Sequence, residues 1–160
     1  MSKTNTKFSI DVQATENRCP IGETIGNKNM AEGKIPVLSC EGACIRGEIA
    51  RLAANMVVKE EPFARGCHGE FLSVPDSAMA QWVKKAEKVV LIDGCFLRCH
   101  GRIIEGLLAK DKLAQFDALS VYKKYTDVFD IEDVPEEERQ QAARQVADSV
   151  LAALKNGGLL

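Results

Sequence analysis

The stretch Lys88–Asp111, KVVLIDGCFLRCHGRIIEGLLAKD, decides the fold. It opens with consecutive apolar residues, Val89 to Ile92, closed by Asp93-Gly94. A run this short and this continuous reads as a strand buried on both faces. From Arg98 onward the apolar residues Ile103, Ile104, Leu107 and Leu108 recur at helical spacing. They predict a helix over 98–111 that packs through all four. A strand that passes through a tight turn into a helix is the repeating unit of a parallel α/β sheet.

Working outward, the same unit recurs. IPVLSC (35–40) is another short apolar run, and GEIARLAANMVV (47–58) repeats Ile49, Leu52, Ala53 and Met56 at a helical period. EPFARGCHGEFLSV (61–74) holds a further short strand. SAMAQWVKKAEK (77–88) is a helix ending in lysines, as the helix dipole favours, with Trp82 in the core. FDALSVY (116–122) predicts a last strand, followed by an acidic, solvated loop. Pro135 and the acids Glu136, Glu137 and Glu138 open a long helix with Val146, Val150 and Leu154 as its apolar stripe. Asn156-Gly157 ends it. The expected fold is α/β: a small three-layer sandwich with a mostly parallel sheet of about four strands. Residues 1–34 are expected to be an N-terminal arm, and 35–160 a single domain. In such folds ligands sit outside the carboxyl ends of the strands.

Composition narrows the function classes. A chain of 160 residues with 46% apolar residues suffices for one real core. A net charge of -2 offers no basic surface for nucleic acid. No apolar run reaches membrane-spanning length, and MSKTNTKFSIDVQATENR lacks the apolar segment of a secretory signal. The expectation is a cytoplasmic protein without a nucleic-acid or membrane partner. Six cysteines in a reducing compartment then point to metal or redox chemistry.

The cysteines fall in a pattern. Cys40 ends one strand and Cys95 ends another, and each is followed four residues later by a second, Cys44 and Cys99. Both units extend to Cys-x3-Cys-x4-Ile-x2-Leu, through Ile49 and Leu52 in one and Ile104 and Leu107 in the other. If the two strands are neighbours, about 5 Å apart, up to four sulfurs meet at one sheet edge. Cys67 follows the short middle strand and can join them. A helix N-terminus favours the thiolate, the form that binds metal. Gly42 and Gly94 allow close backbone approach, and Asp93 can fix its turn by accepting loop amides. The only two histidines, His68 and His100, each follow a cysteine and precede a glycine; they read as neighbours of a site or surface groups before they read as ligands. Cys19, in the arm, is expected to lie outside the site. Arg46, Arg98 and Arg102 stand near the cysteine edge, either as solvated charges or to stabilise thiolates or capture an anion. No Walker loop, Ser/His/Asp hydrolase motif or EF-hand spacing is present.

Asp93-Gly94-Cys95 followed by Cys99, together with the Cys40-Glu41-Gly42-Ala43 turn and a middle cysteine at Cys67, resembles the DGC domain family from about Ile35 to the C-terminal helix. These are small proteins regarded as zinc-binding and without an established activity. The resemblance implies zinc as cofactor, with ligands at Cys40, Cys67, Cys95 and Cys99. Cys44 stands where the family has no expected cysteine; it either replaces Cys67 or serves as an extra reactive thiol. The rival expectation is an iron–sulfur carrier or a thiol redox protein using the same cysteines.

Overall fold

The computed structural model describes residues 6–159. Four strands, β1 (Ile35–Ser39), β2 (Phe63–Arg65), β3 (Val89–Asp93) and β4 (Leu113–Asp117), form one parallel sheet in the order β2-β1-β3-β4. The register aligns Ile35 with Phe63, Leu38 with Leu91 and Leu91 with Gln115. All four strand C-termini therefore open on one edge. Among the described residues no helix is long and apolar enough to cross a membrane.

The two faces of the sheet are set by strand alternation. Val37, Val90 and Ile92 point to one side, where they meet Ile45, Ile49, Ala53 and Val57 of α2 (Ile45–Val57) and Val146, Val150 and Leu154 of α7 (Glu136–Asn156). Leu38, Val89 and Leu91 point to the other, against Phe71 of α3 (His68–Ser73), Met79, Trp82 and Val83 of α4 (Ala78–Lys85), and Ile104 of α5 (Cys99–Glu105). Each large apolar side chain buried this way contributes roughly 1.5–3 kcal/mol. The three-layer reading holds.

Three local expectations change. Residues 20–31, read as part of an arm, form a helix, α1 (Pro20–Ala31), with Cys19 as N-cap and proline at its first position. Two carboxylates fasten it. The Cys19 N–H donates to Glu70 Oε1 at 3.3 Å, and Glu23 Oε1 accepts from Ala78 N at 2.7 Å at the start of α4. Next, the final strand is Leu113–Asp117, while Leu119–Tyr122 is a short helix, α6. Asp117 makes the break, because its Oδ1 accepts the Ser120 N–H and its carbonyl accepts the Ser120 hydroxyl. Finally, α5 ends at Glu105, and a 3₁₀ turn at Lys110–Lys112 leads into β4. Of its four expected packing residues only Ile104 and Leu108 are buried; Ile103 is 48% and Leu107 52% exposed. Ile103 and Ile104 stand about 100° apart on the helix, so only one of them turns to the sheet, and the chain leaves the helix before Leu107.

Candidate functional site

The topology gathers the cysteines at the C-terminal edge. Cys40 directly follows β1, Cys67 lies two residues beyond β2 and Cys95 two beyond β3, and these strands are adjacent in the order β2-β1-β3. Cys44 is the N-cap of α2, and Cys99 is the first residue of α5. Cys19, expected outside the site, is the N-cap of α1, and its amide is held by Glu70 of the helix that starts just after Cys67. All six thiols are free. Among the described residues, no group of three or more His, Cys, Asp or Glu side chains stands close enough together to hold a metal ion. The shared edge is present; a ready-made cage is not.

The edge divides into two halves. In the first, the Cys40 N–H donates to Ile92 O at 2.8 Å, and Gly42 N approaches the Cys40 sulfur at 3.4 Å. Burial pushes the Cys40 thiol up, aided by the charges of Asp93 and Cys44 and opposed by the N–H groups of Gly42 and Gly94. Cys44 goes the other way. Its partial burial opposes ionisation, but the N–H groups of Gly47 and Arg46 and the Arg46 guanidinium outweigh it and lower the thiol. The sulfur closes no capping hydrogen bond on α2. Gly47 is packed so closely on the Gly42 backbone that a Cβ would collide with it, and a Cβ on Gly94 would come within 2.9 Å of the Arg46 main chain. The two Cys-x3-Cys turns are thus pressed together at glycines, as the spacing suggested for Gly94.

The second half surrounds His68. Its ring meets His100 edge-on, with centroids 5.3 Å apart. Desolvation, then the neighbouring His100 charge, push His68 down to about 4, against the pull of Glu41 and with Arg65 adding to the lowering. His68 is therefore neutral near pH 7, and its 3.9 Å approach to Glu41 is not an ion pair there. Glu41 instead pairs with Arg65 at 3.0 Å and accepts the Ser39 hydroxyl at 2.8 Å, while its N–H faces His100 Nδ1 at 3.4 Å. Arg65 also donates to the Val37 carbonyl and to Ser39 Oγ, both at 3.1 Å, and so ties β2 to the β1 turn.

Asp93 behaves as expected from its turn. It is fully buried; Oδ1 accepts the Gly101 N–H at 3.0 Å and Oδ2 the Gln115 side-chain amide at 2.8 Å. It pins α5 to the end of β3 and to β4. Arg98, in the left-handed region with φ 50, precedes α5 and pairs with Glu105. Sequence reasoning missed Glu41, Gln115 and Tyr122. Tyr122 was hidden inside a stretch read as strand, yet its hydroxyl stands within the electrostatic reach of Arg46, Cys44, Cys95 and Asp117. The Tyr122 hydroxyl, Arg46 Nε and His68 Nε2 are buried without a hydrogen-bond partner.

The family model described as DGC domain matches residues 36–146, more than half of the 160 residues. No curated protein and no solved structure gave a match to the chain.

Proposed function

Because the chain belongs to the DGC domain family, we propose that it binds zinc through cysteines at the C-terminal edge of its sheet. One observation carries this reading. Three adjacent parallel strands end, one after another, in Cys67, Cys40 and Cys95, with Cys99 opening the helix after the third. The donor chemistry suits the ion, since thiolates are preferred zinc ligands and four of them close a tetrahedral shell. The ligands on this reading are Cys40, Cys67, Cys95 and Cys99, with Cys44 as the substitute for Cys67. Because no group of three or more candidate side chains is gathered among the described residues, binding on this reading draws the turns together and couples to stability. His68 and His100 meet each other at this edge, and Asp93 orients the α5 turn.

The test is elemental analysis of tag-free protein purified without oxygen, then loaded with zinc and desalted. The expected result is about one zinc per chain, lost with a lower melting temperature when Cys40, Cys95 or Cys99 is replaced by serine. Retention of full zinc by all three variants would remove this ligand set, and protein that takes up no zinc would remove the reading. In that last case the opposite acidities of Cys40 and Cys44 favour thiol redox chemistry, with a reversible Cys40–Cys44 disulfide as its mark.

A further inference from the structure

We propose that the N-terminus of α2 is a binding site for a small phosphate-type oxyanion, free or as a monoester. The ligand is held between the Arg46 guanidinium and the Tyr122 hydroxyl, beside the Cys44 thiol. Its two anion-binding groups, Arg46 and Tyr122, are not metal ligands, and the test below is run without metal.

The first support is the way the helix begins. α2 has 13 residues, enough to present a full N-terminal dipole. Its first N–H, that of Ile45, is taken by the Phe129 carbonyl at 3.0 Å. The next two, from Arg46 and Gly47, face the Cys44 sulfur, a weak acceptor. The α1 and α4 N-termini are different, because Glu70 and Glu23 supply carboxylate oxygens to their N–H groups.

The second support is independent of the helix. Tyr122 is only 5% exposed, and its hydroxyl has no hydrogen-bond partner. It stands on α6, beyond β4, with its hydroxyl within the electrostatic reach of Arg46, Cys44, Cys95 and Asp117. Arg46 Nε is buried and equally without a partner. Buried donors of this kind are nearly always satisfied. One acceptor-only anion satisfies both, and an arginine fork matches phosphate geometry. The Asp117 carboxylate is already engaged by the Ser120 N–H at 3.4 Å. The Arg46 main chain is clasped by Gly94, so the guanidinium springs from a fixed base.

The experiment uses the full chain in a chelator and reductant, titrated with inorganic phosphate against chloride at equal ionic strength. Binding is read by calorimetry and by thermal shift, and phenyl phosphate serves as the monoester arm. Wild-type protein should bind phosphate saturably, and tighter binding of phenyl phosphate would identify the monoester as the preferred form. Arg46→Lys should weaken binding roughly tenfold, because the fork is lost while the charge stays. Tyr122→Phe removes an unpartnered hydroxyl, so it should raise the melting temperature without ligand yet weaken phosphate several-fold. A purely structural tyrosine would give the first change without the second. The proposal is overturned if wild-type protein shows no saturable response, or if both variants bind phosphate as wild type does.

Discussion

The turn from β1 carries Cys40 and Cys44 into a 13-residue helix whose inner face is covered by α7, whereas the turn from β3 carries Cys95 and Cys99 into a seven-residue helix that leaves Ile103 and Leu107 in solvent. The spacing of the two is identical, and their surroundings differ at the second cysteine. In the first, the thiols are half-buried, with the Cys40 pKa raised and the Cys44 pKa lowered. In the second, Cys99 is exposed, and the helix begins after a left-handed Arg98 with no side-chain cap. Equal spacing in sequence delivers equal places on a sheet edge. It does not deliver equal rigidity, because rigidity comes from what covers the helix.

The largest effect that would break this contrast is steric. Gly47→Ala forces a Cβ into the Gly42 backbone and should destabilise the protein by about 3 kcal/mol. Gly106→Ala, at the end of α5 with ordinary φ of -76, should stay within about 1 kcal/mol of wild type. Urea melts of the two variants measure the difference, and equal stabilities would mean that the Gly42–Gly47 contact yields without cost.

A smaller effect tests where the turns meet. His68 touches His100 of the second turn and faces Glu41 of the first, with Arg65 alongside. Its folded value of about 4 lies below the unfolded value near 6.5, so the unfolded chain binds the extra proton between them. Stability should therefore be constant above about pH 6.5 and fall by about 2 kcal/mol as the pH drops to about 4.5. In chelator, His68→Phe should flatten that slope over the same window. An unchanged slope would assign the acid sensitivity to other groups and leave the two turns uncoupled at this point.

The smallest effect sharpens the picture of the α5 anchor. In Asp93→Asn the amide oxygen still accepts from Gly101 N, but the new NH₂ faces the Gln115 amide unless that group turns over. The expected cost is about 1 kcal/mol. Hydrogen exchange at Gly101 should quicken while the α2 amides keep their protection. Faster exchange in both helices would show that Asp93 supports the whole edge and not α5 alone.

Much of this was legible in the chain. Short, unbroken apolar runs at 35–40 and 88–94 identify strands covered on both faces, and the Val146, Val150, Leu154 stripe identifies the helix that covers one of them. The common edge for Cys40, Cys67 and Cys95 follows from strands that end where those residues begin. What failed was local chemistry that outweighs pattern. Asp117 stops a strand inside FDALSVY, and Cys19-Pro20 starts a helix whose polar sequence gives no apolar period to detect. The unlike exposure of the two turns was out of reach, since it depends on α7 lying over α2 from the far end of the chain. Tyr122 was invisible as a site residue for the same reason: its neighbours come from three other segments.

The core shared by α2 and α7 is rich in methyl groups. Ala50, Ala53 and Ala54 on one helix and Ala143 and Ala147 on the other are all buried. Small side chains at these positions let the two helices pack closely, and that packing sets how deep α2 sits on the sheet. A valine or leucine at any of these alanines would lift α2 and carry its first turn outward, taking Cys44 and Arg46 along. The alanines thus determine the gauge of the thiol edge from a distance, and a chain that kept every cysteine but enlarged one of them would hold the same donors at the wrong height.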